Sequence, residues 1–491
     1  MGWIEKIDHS KGGFVVTCAL NYDVAPQRIE FEAKAASVAQ TFREFIQSLS
    51  PLSQVDRVDE ELIDALVNWL VLLDILSEED LRSVSQVERI GKRLVYQVTT
   101  PDEVRVDDMA YLCARFADHI VRTDSELSTF LIELASVGLI TEVVRDFQKP
   151  ATSVSKTDLC VYLDAPVALD LLGLSGSEPK SNINTILQKI RSLGGSVRIY
   201  RISVEEMETN LSALLGRSPS DREGATAEAL RRGEVLEQFV RQVATNADPF
   251  LTQIGVSIVD RTLDQFPNDH KFFEQAAVDS MYSQVGWVRD DLPRFHDAAT
   301  TALTIRGRRG VRSGDLFQVK HLLVTRNPFF PGLARRVSLD FAYINARQVG
   351  PVVHQRQLAT AVWLRAGLGL SDEEIPRKYI LSACRRVLTL RKNIVEKVRQ
   401  VSDSLTKQQA EQLELLLTQG RSTQVLMDKT LGAATVINAS NVALLVEEMR
   451  NALVQEERNL AAEKIDQVRR EAKQQKREFA RCLIPRFDGA I

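Results

Sequence analysis

Leu62, Ala65, Leu66, Trp69, Leu72 and Leu73 recur at helical spacing, with Glu60, Glu61, Asp64 and Asn68 between them. The pattern predicts a helix that buries one stripe and leaves the other to solvent. A short apolar run, Phe14 to Leu20, precedes it, and LSTFLIELASVGLITEVV reads as a helix ending near Gly138 followed by a short strand. Residues 1–152 are therefore expected to form a mainly helical domain, a scaffold or recognition element without visible chemistry. The stretch FQKPATSVSKTD, with its Pro, Ser and Thr, reads as a linker.

Beyond it the period changes. Four apolar runs, LCVYLD (159–164), SVRIYRI (196–202), IGVSIVD (254–260) and KHLLVT (320–325), alternate with helical segments. Strands separated by helices imply parallel βαβ units with right-handed crossovers, hence a three-layer α/β domain over residues 153–345. Residues 346–491 return to a helical pattern. From Val442 through Leu445, Met449, Leu453, Leu460, Ile465, Val468 and Ala472, apolar positions recur every three to five residues, as in a long amphipathic helix. Its flank EKIDQVRREAKQQKREFARC alternates in charge sign, which suits a solvated face or a surface for a second copy or another protein.

Composition narrows the function. With 491 residues, 62 Lys plus Arg and 66 Asp plus Glu, the formal charge is −4. That excludes a uniformly basic nucleic-acid coat, so any polyanion must bind a local patch. Five cysteines (Cys18, Cys113, Cys160, Cys384, Cys482) lie far apart without a CxxC pair, and the six histidines form no HxxH or HExxH spacing. Neither a disulfide framework nor a zinc site is suggested. The N-terminus lacks a signal pattern and no apolar run approaches the roughly 18 residues that span a bilayer, so a cytoplasmic protein without a membrane partner is expected.

In open parallel sheets the ligand site lies beyond the carboxyl ends of the strands, and the residues there are mostly acidic. Asp164 ends the first run, ahead of Pro166 in the first turn of a helix. Asp158 lies about 20 Å away at the other edge, and Asp170 and Asp315 sit off the edge. After the second run Ser203 is placed as a helix cap with Glu205 and Glu206 in the first turn. Only one of these can face Asp164, and Glu206 is favoured, although Ser203-x-x-Glu206 also matches a capping box. Asp297 starts a later helix, where it serves equally as an N-cap. Thr325 and Asn327 follow the fourth run, and Asn327 before Pro328 can also begin a turn. Asp164, Glu206, Asp297 and Asn327 together would form an oxygen-rich pocket that suits Mg²⁺ or Mn²⁺ and metal-assisted phosphodiester hydrolysis, with Thr325 beside it as a candidate substrate contact. The run RGRRGVR adds Arg306, Arg308, Arg309 and Arg312 as candidate contacts to a substrate backbone.

The stretches VYLDAPVALDLLG, YRISVEEM, HDAATTALTIRGRR and LLVTRNPFF, in that order across residues 158–330, resemble the PIN-domain nucleases, specifically a bacterial group with additional helical regions. The resemblance implies a PIN-like parallel sheet that binds Mg²⁺ or Mn²⁺ and cleaves RNA more often than DNA. It makes Asp164 the first acid, Glu206 the second and Asp297 the third. At the fourth position Asn327 stands where many such domains carry Asp, which lowers the negative charge available to a second ion. No GxxxxGK[ST], GxGxxG or GxSxG motif supports another phosphate, dinucleotide or esterase chemistry. The competing expectation is a non-catalytic interaction protein that keeps the fold as a binding module.

Overall fold

A computed structural model of the chain describes residues 4–8, 15–18, 25–49, 58–71, 86–90, 93–97, 109–123, 126–146, 156–286, 291–365 and 374–483. Most of the expected linker, and Leu72 and Leu73 of the first helical stripe, lie outside the described residues. In the N-terminal region strands β1 (Ile4–Asp8) and β2 (Val15–Cys18) pair antiparallel, as do β3 (Gln86–Ile90) and β4 (Arg93–Gln97). The helices there are α1 (Ala25–Leu49), α2 (Asp59–Val71), α3 (Met109–Thr123) and α4 (Glu126–Asp146). Helix α4 runs unbroken through Gly138, where the sequence pattern suggested a stop and a strand. Leu131, Ala135 and Leu139 fall on one buried face across that glycine. Their packing outweighs the roughly 1 kcal/mol that a glycine costs inside a helix.

The centre is a five-stranded sheet of β5 (Cys160–Leu163), β6 (Ser196–Tyr200), β7 (Ser257–Val259), β8 (His321–Thr325) and β9 (Val352–His354), in the order β7-β6-β5-β8-β9. All four pairings are parallel. The four apolar runs account for the first four strands. The fifth is only three residues long and lies past residue 345, so the sheet extends into the region expected to be helical.

Alternation along the strands builds a core on each face, as a sheet covered on both sides requires. Val161, Leu163, Val197, Ile199, Leu322 and Val324 face one way. They are covered by α5 (Ala165–Leu172), α6 (Ser177–Ser192) and α7 (Arg201–Leu215). Short helices α8 (Ala225–Arg231), α9 (Glu237–Thr245) and α10 (Asp248–Gln253) precede β7. Cys160, Tyr162, Tyr200, Leu323 and Val352 face the other way, against α11 (Gln275–Gln284), α12 (Asp291–Arg308) and α13 (Phe330–Asp340).

Among the described residues, helices α14 (Gln355–Arg365), α15 (Glu374–Val387), α16 (Lys392–Gln400), α17 (Lys407–Leu416), α18 (Gly420–Lys429) and α19 (Val442–Leu483) follow. Their buried side chains, Trp363, Tyr379 and Leu426 among them, join the first face of the sheet and Phe42, Leu66 and Phe116 of the N-terminal helices in one continuous core. In α19 the residues Val442, Leu445, Val446 and Met449 are buried, whereas every described side chain from Val454 to Gln475 is exposed. Among the described residues no helix is long and apolar enough to cross a membrane.

Candidate metal centre

Connections carry the chain from β5 to β6 to β7 and then back across to β8 and β9. Such a reversal opens a crevice between the first and fourth strands at their carboxyl ends. Asp164 leaves β5 at that point and caps α5, its Oδ1 accepting from the Ala165 backbone N–H at 2.9 Å. Pro166 follows in the first turn, where its missing N–H is no loss. Across the crevice Thr325, the last residue of β8, donates its hydroxyl to Asp164 Oδ2 at 2.6 Å. Both carboxylate oxygens are thereby held, and the residue is only 5% exposed.

Helix α7 begins at Arg201, with Tyr200 at its N-cap, so Ser203 is the third helical residue and the capping-box alternative falls away. Ser203 Oγ instead lies 2.8 Å from Nε2 of His296. Within the Glu205–Glu206 pair Glu205 is exposed, and Glu206 reaches His296 Nε2 with its Oε2 at 3.2 Å. That oxygen is shut off from solvent and accepts no well-directed hydrogen bond.

Helix α12 starts at Asp291, which puts Asp297 in the second turn and removes the N-cap explanation for it. Its Oδ1 is 3.2 Å from His296 Nδ1. His296 Nε2 is also 3.9 Å from Asp164 Oδ1, and the ring is 3% exposed. The structure thus gathers Asp164, Glu206 and Asp297 around one buried imidazole. Burial pulls the His296 pKa down, but the Glu206 charge, the Asp297 hydrogen bond and the remaining carboxylate charges carry it up to about 9. Burial pushes the Glu206 carboxyl up to about 7; the imidazolium opposes that rise, and Asp164 and Asp297 add to it. At neutral pH a charged imidazole is the internal counter-ion of the cluster.

Asp164, Glu206 and His296 each offer a donor atom, and the three atoms lie within 4.8 Å of one another. Two donors on one small divalent ion are separated by at most about 4.5 Å, so a small side-chain adjustment suffices for the three to share a cation. Asp297, expected as a metal ligand, is not in that group. Asn327 is corrected more firmly: its Oδ1 accepts from the Phe329 and Phe330 N–H groups at the start of α13, so both lone pairs are in use. Thr325, expected to touch substrate, is fully buried and supports Asp164.

The basic run is also relocated. Arg306 donates to the Phe273 carbonyl through Nε and Nη2, and Arg308 donates to the carbonyls of His321, Val349 and Gly350. Both are buried, and Arg308 is tied to the amino ends of β8 and β9, opposite the carboxylates. Arg309 and Arg312 are exposed, but Arg309 is twelve residues from Asp297, about 18 Å along the helix at 1.5 Å per residue. Close spacing in sequence does not put them beside the site.

His296 is the member of this cluster that the residue pattern did not single out. Residues drawn from the end of β5, α7 and α12 cannot produce a short-range histidine motif, and the signal available was the His-Asp dipeptide within the stretch matched to the third acid. No protein-family model, no curated protein and no solved structure matches the chain.

Proposed function

We propose that this protein is a metal-dependent nuclease of the PIN-like type that hydrolyses phosphodiester bonds, with RNA preferred over DNA. The observation that carries the reading is the meeting of Asp164, Glu206 and His296 in the crevice of an all-parallel sheet whose strands run third-second-first-fourth-fifth. The PIN identity and the preference for RNA rest on the resemblance of residues 158–330. A divalent ion held there would polarise the phosphate and make bound water a stronger nucleophile. Asp164 and Glu206 supply the charge to hold it, and Thr325 and the α5 N-terminus keep Asp164 in place. The test is incubation of the full chain with end-labelled RNA and single-stranded DNA, with Mn²⁺, Mg²⁺ or chelator. Cleavage that needs the metal and is lost in Asp164→Asn is expected. Intact substrates under every metal, with a melting temperature indifferent to Mn²⁺, would overturn the reading.

A second reading, a protein whose work is done by helix pairing, is favoured by one observation. Val454, Ala461, Ile465, Val468 and Ala472 lie exposed on α19 at spacings of seven, four, three and four, the seam of a two-stranded coil. Sedimentation of the full chain against a chain ending at Leu453 tests it, a drop from dimer to monomer being the supporting result.

A further inference from the structure

We propose that His296 is a direct nitrogen ligand of the cation at this site, and that Asp297, the third acid of the resemblance, is the positioning residue behind it. The inference rests on the metal-binding part of the function proposed above and not on the cleavage it is proposed to perform.

The two ring nitrogens face different surroundings. Nε2 points to Glu206 Oε2 at 3.2 Å and Asp164 Oδ1 at 3.9 Å, the two carboxylates at the crevice. Nδ1 meets Asp297 Oδ1 at 3.2 Å on the other side of the ring. The carboxylate on Nδ1 keeps a proton on that nitrogen, so a cation that displaces the Nε2 proton would meet the Nε2 lone pair facing the crevice, the usual arrangement behind a metal-bound histidine. Ser203 Oγ, 2.8 Å from Nε2, holds the same ring from α7 and can move its hydroxyl aside without backbone change. The ring itself has nowhere else to go. It is 3% exposed, on a helix whose next residues, Ala298, Ala299 and Thr300, are also buried.

This divides the acids by role. Asp164 and Glu206 lie on the Nε2 side and can join the imidazole on one ion, whereas Asp297 reaches the site through the ring. It also changes which ion is favoured. A set of three carboxylates suits Mg²⁺ as well as Mn²⁺, but an imidazole nitrogen is a poor partner for Mg²⁺ and a good one for later divalent metals. The site should therefore bind Mn²⁺ well ahead of Mg²⁺.

Pulsed electron paramagnetic resonance on the full chain loaded with Mn²⁺ alone reads the ligand directly. Nitrogen-14 modulation of the imidazole type is expected, converting to the nitrogen-15 pattern when the protein is grown with labelled histidine, a control that needs no substitution. His296→Gln should remove the modulation and narrow the preference for Mn²⁺ over Mg²⁺. Asp297→Asn should retain it while weakening Mn²⁺ binding about 10- to 100-fold, the size expected for loss of a carboxylate behind a ligand. Bound Mn²⁺ without nitrogen modulation in the wild type, or modulation that survives His296→Gln, would overturn the proposal, as would a protein that takes up no Mn²⁺. Metal-dependent cleavage without nitrogen coupling would sink this inference and leave the nuclease reading standing. Nitrogen coupling without cleavage would do the reverse.

Discussion

Thr325 shows how a single hydroxyl joins two parts of the site. It donates to Asp164 Oδ2 at 2.6 Å and accepts from the Asn327 N–H at 3.0 Å, in full burial. Thr325→Val keeps the shape and strands a buried carboxylate oxygen and a backbone N–H without partners. A loss of about 2 kcal/mol is expected in urea denaturation, with Thr325→Ser close to wild type. Equal losses in both variants would mean that the methyl packing, not the hydroxyl, holds the position. Asp164 and Glu206 were legible as residues because their strands and helix announce themselves locally. His296 was not, because its role depends on three elements meeting.

At the scale of elements, α12 illustrates why a charge run misleads. Its last turns carry Arg306 and Arg308 into the protein, where Arg306 donates to the Phe273 carbonyl ahead of α11 and Arg308 satisfies carbonyls at the start of β8 and before β9. An arginine can tie three buried carbonyls at once, which a linear sequence cannot distinguish from a patch for phosphate. Helix α19 is the opposite case, since its amphipathic pattern was plain and its length of 42 residues matches the pattern. Only its first turns are buried in this chain. A chain ending at Leu453 should therefore melt at the wild-type temperature by calorimetry, because the removed side chains described here bury nothing. A clear drop in melting temperature at a dilution where no dimer forms would show that the distal helix supports the fold.

At the scale of the whole molecule, Glu178 in the first turn of α6 accepts from Arg122 of α3 at 2.7 Å and from Arg385 of α15 at 2.8 Å. It joins the N-terminal helices, the sheet domain and the C-terminal helices at one carboxylate. Burial raises its pKa, but the hydrogen bonds from Arg385 and Arg122 dominate and bring it from 4.5 down to about 2. A depressed folded-state pKa contributes stability that is present above the unfolded value near 4.5 and is lost as pH falls through about 2. Glu178→Gln should therefore cost about 1 to 2 kcal/mol at pH 7, the shift being discounted for solvent screening of the partly exposed pair, and progressively less below pH 4.5, measured by denaturant titration across pH. A difference that does not change between pH 7 and pH 2.5 would show that the charge is not what joins the three regions.

The sequence by itself determined the alternation of strands and helices, hence a parallel sheet with its acidic residues at the carboxyl edge, because apolar period and crossover handedness are local rules. It also determined the long C-terminal helix. The three-residue strand β9 escaped it, since Val352–His354 is too short to carry a period. So did the passage of α4 through Gly138, and the sharing of one core by the N-terminal helices, the sheet and the C-terminal helices. Only the tertiary structure placed His296 among the carboxylates and turned Arg308 away from them. Both outcomes depend on how α12 lies across the sheet, and the long-range packing that sets this leaves no trace in residue spacing.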